Sequence, residues 1–110
     1  MVKITLILML LVGSYTFGQS QTEMNQEALK SYQIADAEMT VIYKDLMKSL
    51  GQTEKNYLLT AQRAWISYKE AHCKAIAYQY DGGSMQPMVQ CGCLETLTRE
   101  RIQQLNAYNP

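Results

Sequence analysis

Three cysteines and one histidine are the side chains of this 110-residue sequence whose types and spacing could do chemistry: His72 beside Cys73, and Cys91 separated from Cys93 by a single glycine. Together they count as a three-cysteine, one-histidine set of the kind that holds zinc. The spacing argues against it, because adjacent residues on a helix point about 100° apart. Cys91-Gly92-Cys93 is also a short-spaced dithiol, which could exchange with a partner's disulfide. A third reading is structural: in an oxidising compartment Cys73 pairs with Cys91 or Cys93, and one thiol is left over. A bridge from Cys73 to Cys93 would enclose the whole intervening connection and constrain the unfolded chain by about 3 kcal/mol. The structural bridge is favoured, with thiol exchange as the alternative.

Nucleophilic catalysis requires a nucleophile, a base and an orienting group within mutual reach. His72 is the single histidine, and Ser84 follows Gly82-Gly83 without a nucleophile-elbow pattern, so it reads as a turn residue. Asp36 and Glu38 stand two apart on a helix and diverge, so they cannot share a proton. Phosphate-cradling glycine loops are missing. The expectation is a non-enzymatic chain with no metal and no cofactor. Trp65 and the tyrosines beyond the signal segment (Tyr32, Tyr43, Tyr57, Tyr68, Tyr78, Tyr80, Tyr108) could contact sugar or protein. Helical spacing assigns Trp65, Tyr68 and Tyr32 to the core or its edge, and Tyr78 and Tyr80, bordering the Gly-Gly turn, to the surface. Asp36 is expected to pair with Arg63 or Arg101, since opposite charges near a small core are seldom left unpaired.

Three helices must position these groups. Tyr32, Ala35, Met39, Ile42, Leu46 and Leu50 recur at spacings of three and four and predict a helix over Glu23 to Leu50, with Thr22 as N-cap and Gly51 as its stop. Leu58, Ala61, Trp65, Tyr68, His72, Ala75 and Gln79 predict a second, with Thr53 as N-cap and Asp81-Gly82-Gly83 as terminator. Leu94, Leu97, Arg101 or Ile102, Leu105 and Tyr108 predict a third, with Thr98, Arg99 and Glu100 facing outward. The short link at Gly51 makes the first two helices antiparallel neighbours. Asp81 to Gly92 remains as a long loop. If Cys73 joins Cys93, that loop must turn at Gly82-Gly83 and climb roughly 10 Å back along the second helix, covering it with Met85, Met88 and Val89. Strand signals are absent, so the fold class is all-α: a small three-helix domain with a long Gly-Gly-Ser loop between helices two and three, stapled by a disulfide.

Ten basic residues balance ten acidic ones, which argues against a phosphate-backbone binder and hence against nucleic acid. Lys3 followed by the apolar run Ile4 to Val12 has signal-peptide architecture, too short to span a bilayer. Residues 1–18 are read as a signal peptide cut before Gln19, with a second site after Thr16; no cysteine follows to accept a lipid. Residues 19–110 then form one domain of about 92 residues and charge −1, exported to the periplasm or secreted and not membrane-anchored. At that size a covalent staple adds needed stability.

Several stretches in order resemble the LprI-type lysozyme-inhibitor-like domain, a family of small exported bacterial proteins. They are Glu23-Met24-Asn25-Gln26, Ala35-Asp36-Ala37-Glu38-Met39 with Tyr43, Ala61-Gln62-Arg63-Ala64-Trp65 with Tyr68 and Cys73, Gly82-Gly83-Ser84-Met85 with Pro87-Met88, and Cys93-Leu94 with Leu97-Thr98 and Arg101. They span about residues 23 to 106. The resemblance implies that Cys73 pairs with Cys93 and leaves Cys91 free. It marks Asp36, Tyr43, Gln62, Arg63, Trp65, Thr98 and Arg101 as a structural motif. Family members often carry a cysteine where Glu27 stands, an asparagine where Thr40 stands, and a lipid-accepting cysteine that this chain lacks. The implied function is a binding module with a protein partner, lysozyme, whose sugar-binding cleft it occludes. The element expected to enter the cleft is Gly82, Gly83, Ser84, Met85 and Pro87. A structural partner-binding domain is the other alternative beside thiol exchange.

Overall fold

Ser20 opens the described part of the chain: the computed structural model covers residues 20–108, and the Ser20 hydroxyl accepts a hydrogen bond from the Glu23 amide at 3.1 Å. The expected signal segment lies outside these residues. Ser20 therefore takes the capping role expected of Thr22, and satisfies one of the amides a helix start leaves open. Helix α1 runs Gln21–Ser49, α2 Gln52–Tyr78 and α3 Gln86–Asn106. No strand occurs among the described residues, and the all-α three-helix class holds.

Only Leu50 and Gly51, both extended, separate α1 from α2. Gly51 is the N-cap of α2 rather than a left-handed stop for α1, and its carbonyl accepts the Lys55 amide at 2.9 Å. Thr53, expected to cap, sits inside the first turn. The helices run up, down, up, so α1 and α3 are parallel. Packing is unequal. α3 lies closely along both other helices, whereas the α1 and α2 backbones approach each other far less than either approaches α3. α1 and α2 are the expected antiparallel neighbours, and they meet through side chains, Leu46 and Leu50 clustering with Leu58 and Tyr32 meeting Lys69.

Aliphatic burial is concentrated at the end where α1 passes into α2. Met39, Leu46, Leu50, Leu58, Ile102 and Leu105 form the core there, with Ile42, Tyr43, Met47 and Trp65 packed against it. Each fully buried leucine contributes about 1.5–3 kcal/mol. Towards the other end the buried residues are small, Ala35, Cys73 and Ala77, and the Cys73–Cys93 disulfide joins α2 to α3 with 5.5 Å between Cα atoms. A covalent bond holds the end that has little apolar volume to hold it.

Three expectations about phase and boundary change. α3 begins at Gln86, so the segment expected to climb back as a loop does so as helix, and Cys93 lies two turns in. Pro87 is compatible because it stands in the first turn, where its missing amide would have no partner. Helix α2 is rotated from the apolar stripe: its inward residues are Leu58, Gln62, Lys69, Cys73 and Ala77, while Ala61, Tyr68 and Ala75 face solvent. The disulfide fixes Cys73 inward, and Lys69 and Gln62 follow at helical spacing. Thr98, expected outside, is fully buried, with its hydroxyl donating to the Leu94 carbonyl at 2.7 Å.

Candidate partner-binding site

The chain reverses between α2 and α3 through a tight series of turns. The Tyr80 amide donates to the Ala77 carbonyl, Asp81 to Tyr78, Gly83 to Tyr80 and Gln86 to Gly83, at 2.9 to 3.3 Å. Gly82 takes φ +75°, a conformation that other L-residues adopt at a cost. Gly83 is favoured for a different reason, since a Cβ there would stand a tight 3.1 Å from the Tyr80 carbonyl oxygen. Ser84 and Met85 follow, and Pro87 is exposed on the first turn of α3. These five expected residues form one surface knuckle. Tyr78 is 72% exposed, Tyr80 40% and Met85 41%, so the knuckle has an apolar, aromatic rim.

Attachments on both sides hold this tip. The Asn25 side chain on α1 donates to the Ser84 carbonyl at 2.9 Å, and Gln21 reaches the Met88 sulfur at 3.7 Å. The disulfide lies behind it. Beside the tip, between the N-terminal halves of α1 and α3, Thr22, Asn25, Leu29, Pro87, Cys91 and Leu94 line a cavity of about 440 Å³. Cys91 is the free thiol, half-buried, and burial pushes its pKa up. Cys93 is already bonded to Cys73, and residues two apart on a helix point about 200° apart. A Cys91–Cys93 bond would require α3 to unwind. Among the described residues no group of three or more His, Cys, Asp or Glu side chains is placed to hold a metal.

A polar layer crosses the middle of the molecule. Lys69 is buried; its ammonium donates to the Tyr32 hydroxyl at 2.9 Å and lies 4.9 Å from the Trp65 ring centroid. The Arg101 guanidinium carbon stands 6.0 Å from the same centroid, so the indole meets two cations. Each such contact contributes about 0.5–2 kcal/mol. Arg101 donates to Gln62 and to Gln104, both at 2.9 Å, and the Gln62 amide reaches the Met39 sulfur at 3.7 Å. The expected Asp36 pair is not formed. The rotation of α2 leaves Arg63 exposed and brings Gln62 inward as the acceptor for Arg101. Asp36 instead lines a cavity of about 340 Å³ with Tyr43, Gln62, Lys69 and Glu70, and its carbonyl accepts from Thr40.

Of the residues the resemblance marks, Gln62, Trp65 and Arg101 meet in this layer and Asp36 and Tyr43 line the cavity beside Gln62, whereas Arg63 lies exposed outside it and Thr98 bonds only within α3. Trp65 and Tyr32 are half-buried as expected, but Tyr68 is 54% exposed and stacks on His72 with 5.3 Å between ring centroids. Lys69 was missed from sequence. Its one signal is phase: Gln62, Lys69 and Cys73 share a face, and Cys73 had to point inward.

The chain matches the family model described as lysozyme inhibitor LprI over residues 14–105. It is 35% identical over 99 residues to an uncharacterised protein of Rhizobium meliloti, covering 78% of this chain and 71% of that one. No solved structure matches it.

Proposed function

Because the chain belongs to the LprI lysozyme-inhibitor family, we propose that it is an exported, non-enzymatic binding module that inhibits a lysozyme by occluding its sugar-binding cleft. The inserting element is the knuckle from Tyr78 to Pro87. The observation that carries this reading is an exposed aromatic and apolar rim on a turn fastened from two sides, by the disulfide and by Asn25. Ordering a loop on binding costs free energy, and a turn already held in place avoids much of that cost. Tyrosines are over-represented among residues that dominate interface energetics.

Charge has a smaller part. α1 presents Glu23, Glu27, Glu38 and Asp45 to solvent, but Lys30, Lys44 and Lys48 lie among them, so the field towards a cationic enzyme is diluted. Export, to the periplasm or beyond, rests on the signal-peptide architecture of residues 1–18. No described helix is long and apolar enough to cross a membrane.

The test is hydrolysis of peptidoglycan by several lysozyme types with and without the mature protein. Inhibition is expected at micromolar protein, and Tyr80→Ala or Met85→Asp should weaken it at least tenfold while helical circular dichroism is unchanged. No inhibition by an excess of protein, across all types, removes the proposal. Undiminished inhibition by both variants moves the contact away from the tip.

A further inference from the structure

Tyr57, Ala61, Ala64, Tyr68, Ala71 and Ala75 follow one another on α2 at alternating spacings of four and three, and all six are exposed. Tyr57 is 76% exposed. At 100° per residue this stripe lies roughly opposite the inward face of Leu58, Gln62, Lys69, Cys73 and Ala77. The outer side of a surface helix ordinarily carries charged and polar residues, and this stripe carries no charge. Its 3.5-residue repeat is the spacing by which one helix packs along another. The rotation of α2 explains how the stripe came to lie outside: the disulfide and the polar layer claim the inward face.

We propose that this stripe is the seam of a twofold dimer, two copies of the chain joined through antiparallel α2 helices. The order of residues selects the occupant. In an antiparallel pair the two kinds of seam position face each other. One register sets Tyr57 of each copy against Ala75 of the other, Ala61 against Ala71, and Ala64 against Tyr68. That register overlaps the two α2 helices almost from end to end. Every tyrosine meets an alanine, and facing large and small residues interdigitate without voids. A parallel, in-register pair would instead set Tyr57 on Tyr57 and Tyr68 on Tyr68. The antiparallel seam uses the same patch on both copies and closes on itself. It buries on the order of 600 Å² from each copy, roughly 1,200 Å² in all, at the lower edge of specific interfaces. The dimer is therefore a reversible one, formed at micromolar concentration and above.

Sedimentation equilibrium tests this on the oxidised mature protein with Cys91 alkylated, so that no intermolecular disulfide contributes. A monomer–dimer equilibrium is expected between low micromolar and near-millimolar protein. Ala64→Glu and Ala71→Glu each place a charge in the seam on an exposed position, and glutamate is a good helix former, so the monomer stays folded by circular dichroism. Each should weaken the dimer at least tenfold. A monomeric mass at the highest concentration overturns the proposal, and so does a dimer indifferent to both substitutions. Neither result bears on lysozyme inhibition, which the tip variants test separately.

Discussion

Lys69 and Arg101 are buried cations with no carboxylate within ion-pair distance among the described residues; their partners are the Trp65 ring, the Tyr32 hydroxyl and neutral amides. One Arg101 nitrogen, Nη2, is buried with no hydrogen-bond partner there. Burying a charge without an anion is expensive, so these residues do not maximise stability. Lys69→Met keeps the stem's volume and removes the charge, and is expected to leave the urea midpoint unchanged or raise it. Trp65→Ala removes the half-buried ring both cations share and should cost up to about 3 kcal/mol. A lower midpoint for Lys69→Met would show that the ammonium's contacts outweigh its desolvation. Cys91 yields a second prediction at this scale. Its thiol is pushed up by burial, so the folded chain holds that proton more tightly than the unfolded chain does. Any stability this confers is complete below the ordinary thiol range and is lost as pH rises through the raised value. At pH 8 the native thiol should react with iodoacetamide more slowly than the same thiol in urea, and thiol counting should find one reactive group in the oxidised protein.

The helices show how far periodicity reaches. On α1 the stripe read from sequence includes all four residues buried on α1 and its link, Ala35, Met39, Leu46 and Leu50, while the off-stripe Leu29, Ile34 and Val41 stay exposed; no covalent bond or buried charge on that helix sets a different phase. On α2 it fails by a rotation, since the apolar residues outnumber the positions facing the core and a covalent bond decides which face turns in. On α3 the start is missed because Asp81 to Gly92, with its Gly, Ser and Pro residues, reads as loop throughout. A proline in a first turn lacks a donor the helix does not use, and one interior glycine costs only about 1 kcal/mol. The turn at Gly82-Gly83 is legible in the sequence; its fastening by Asn25, distant in sequence, is not. The caps make a direct test. Ser20→Ala should cost about 1 kcal/mol through the lost bond to the Glu23 amide, whereas Thr53→Ala, exposed inside the first turn of α2, should change the midpoint by less than about 0.5 kcal/mol. Equal effects would place the cap of α2 at Thr53.

Across the whole molecule the two ends are held by different means, leucines and methionine at one and a disulfide among small residues at the other. Reduction, or Cys73→Ser with Cys93→Ser, should therefore lower stability by about 3 kcal/mol and loosen the tip first. Hydrogen exchange is expected to quicken at the α2–α3 turn and the N-terminal half of α3 before it quickens around Leu58 and Leu105; uniform acceleration would contradict that division. The arrangement in which α3 packs along both other helices while the α1 and α2 backbones stay further apart also makes α3 the element that completes the fold. α3 is the last of the three to leave the ribosome, and it carries one cysteine of the staple and two of the core residues, Ile102 and Leu105. Met39, Leu46, Leu50 and Leu58 give the first two helices some apolar surface to share, but neither the core nor the staple is complete until α3 is present.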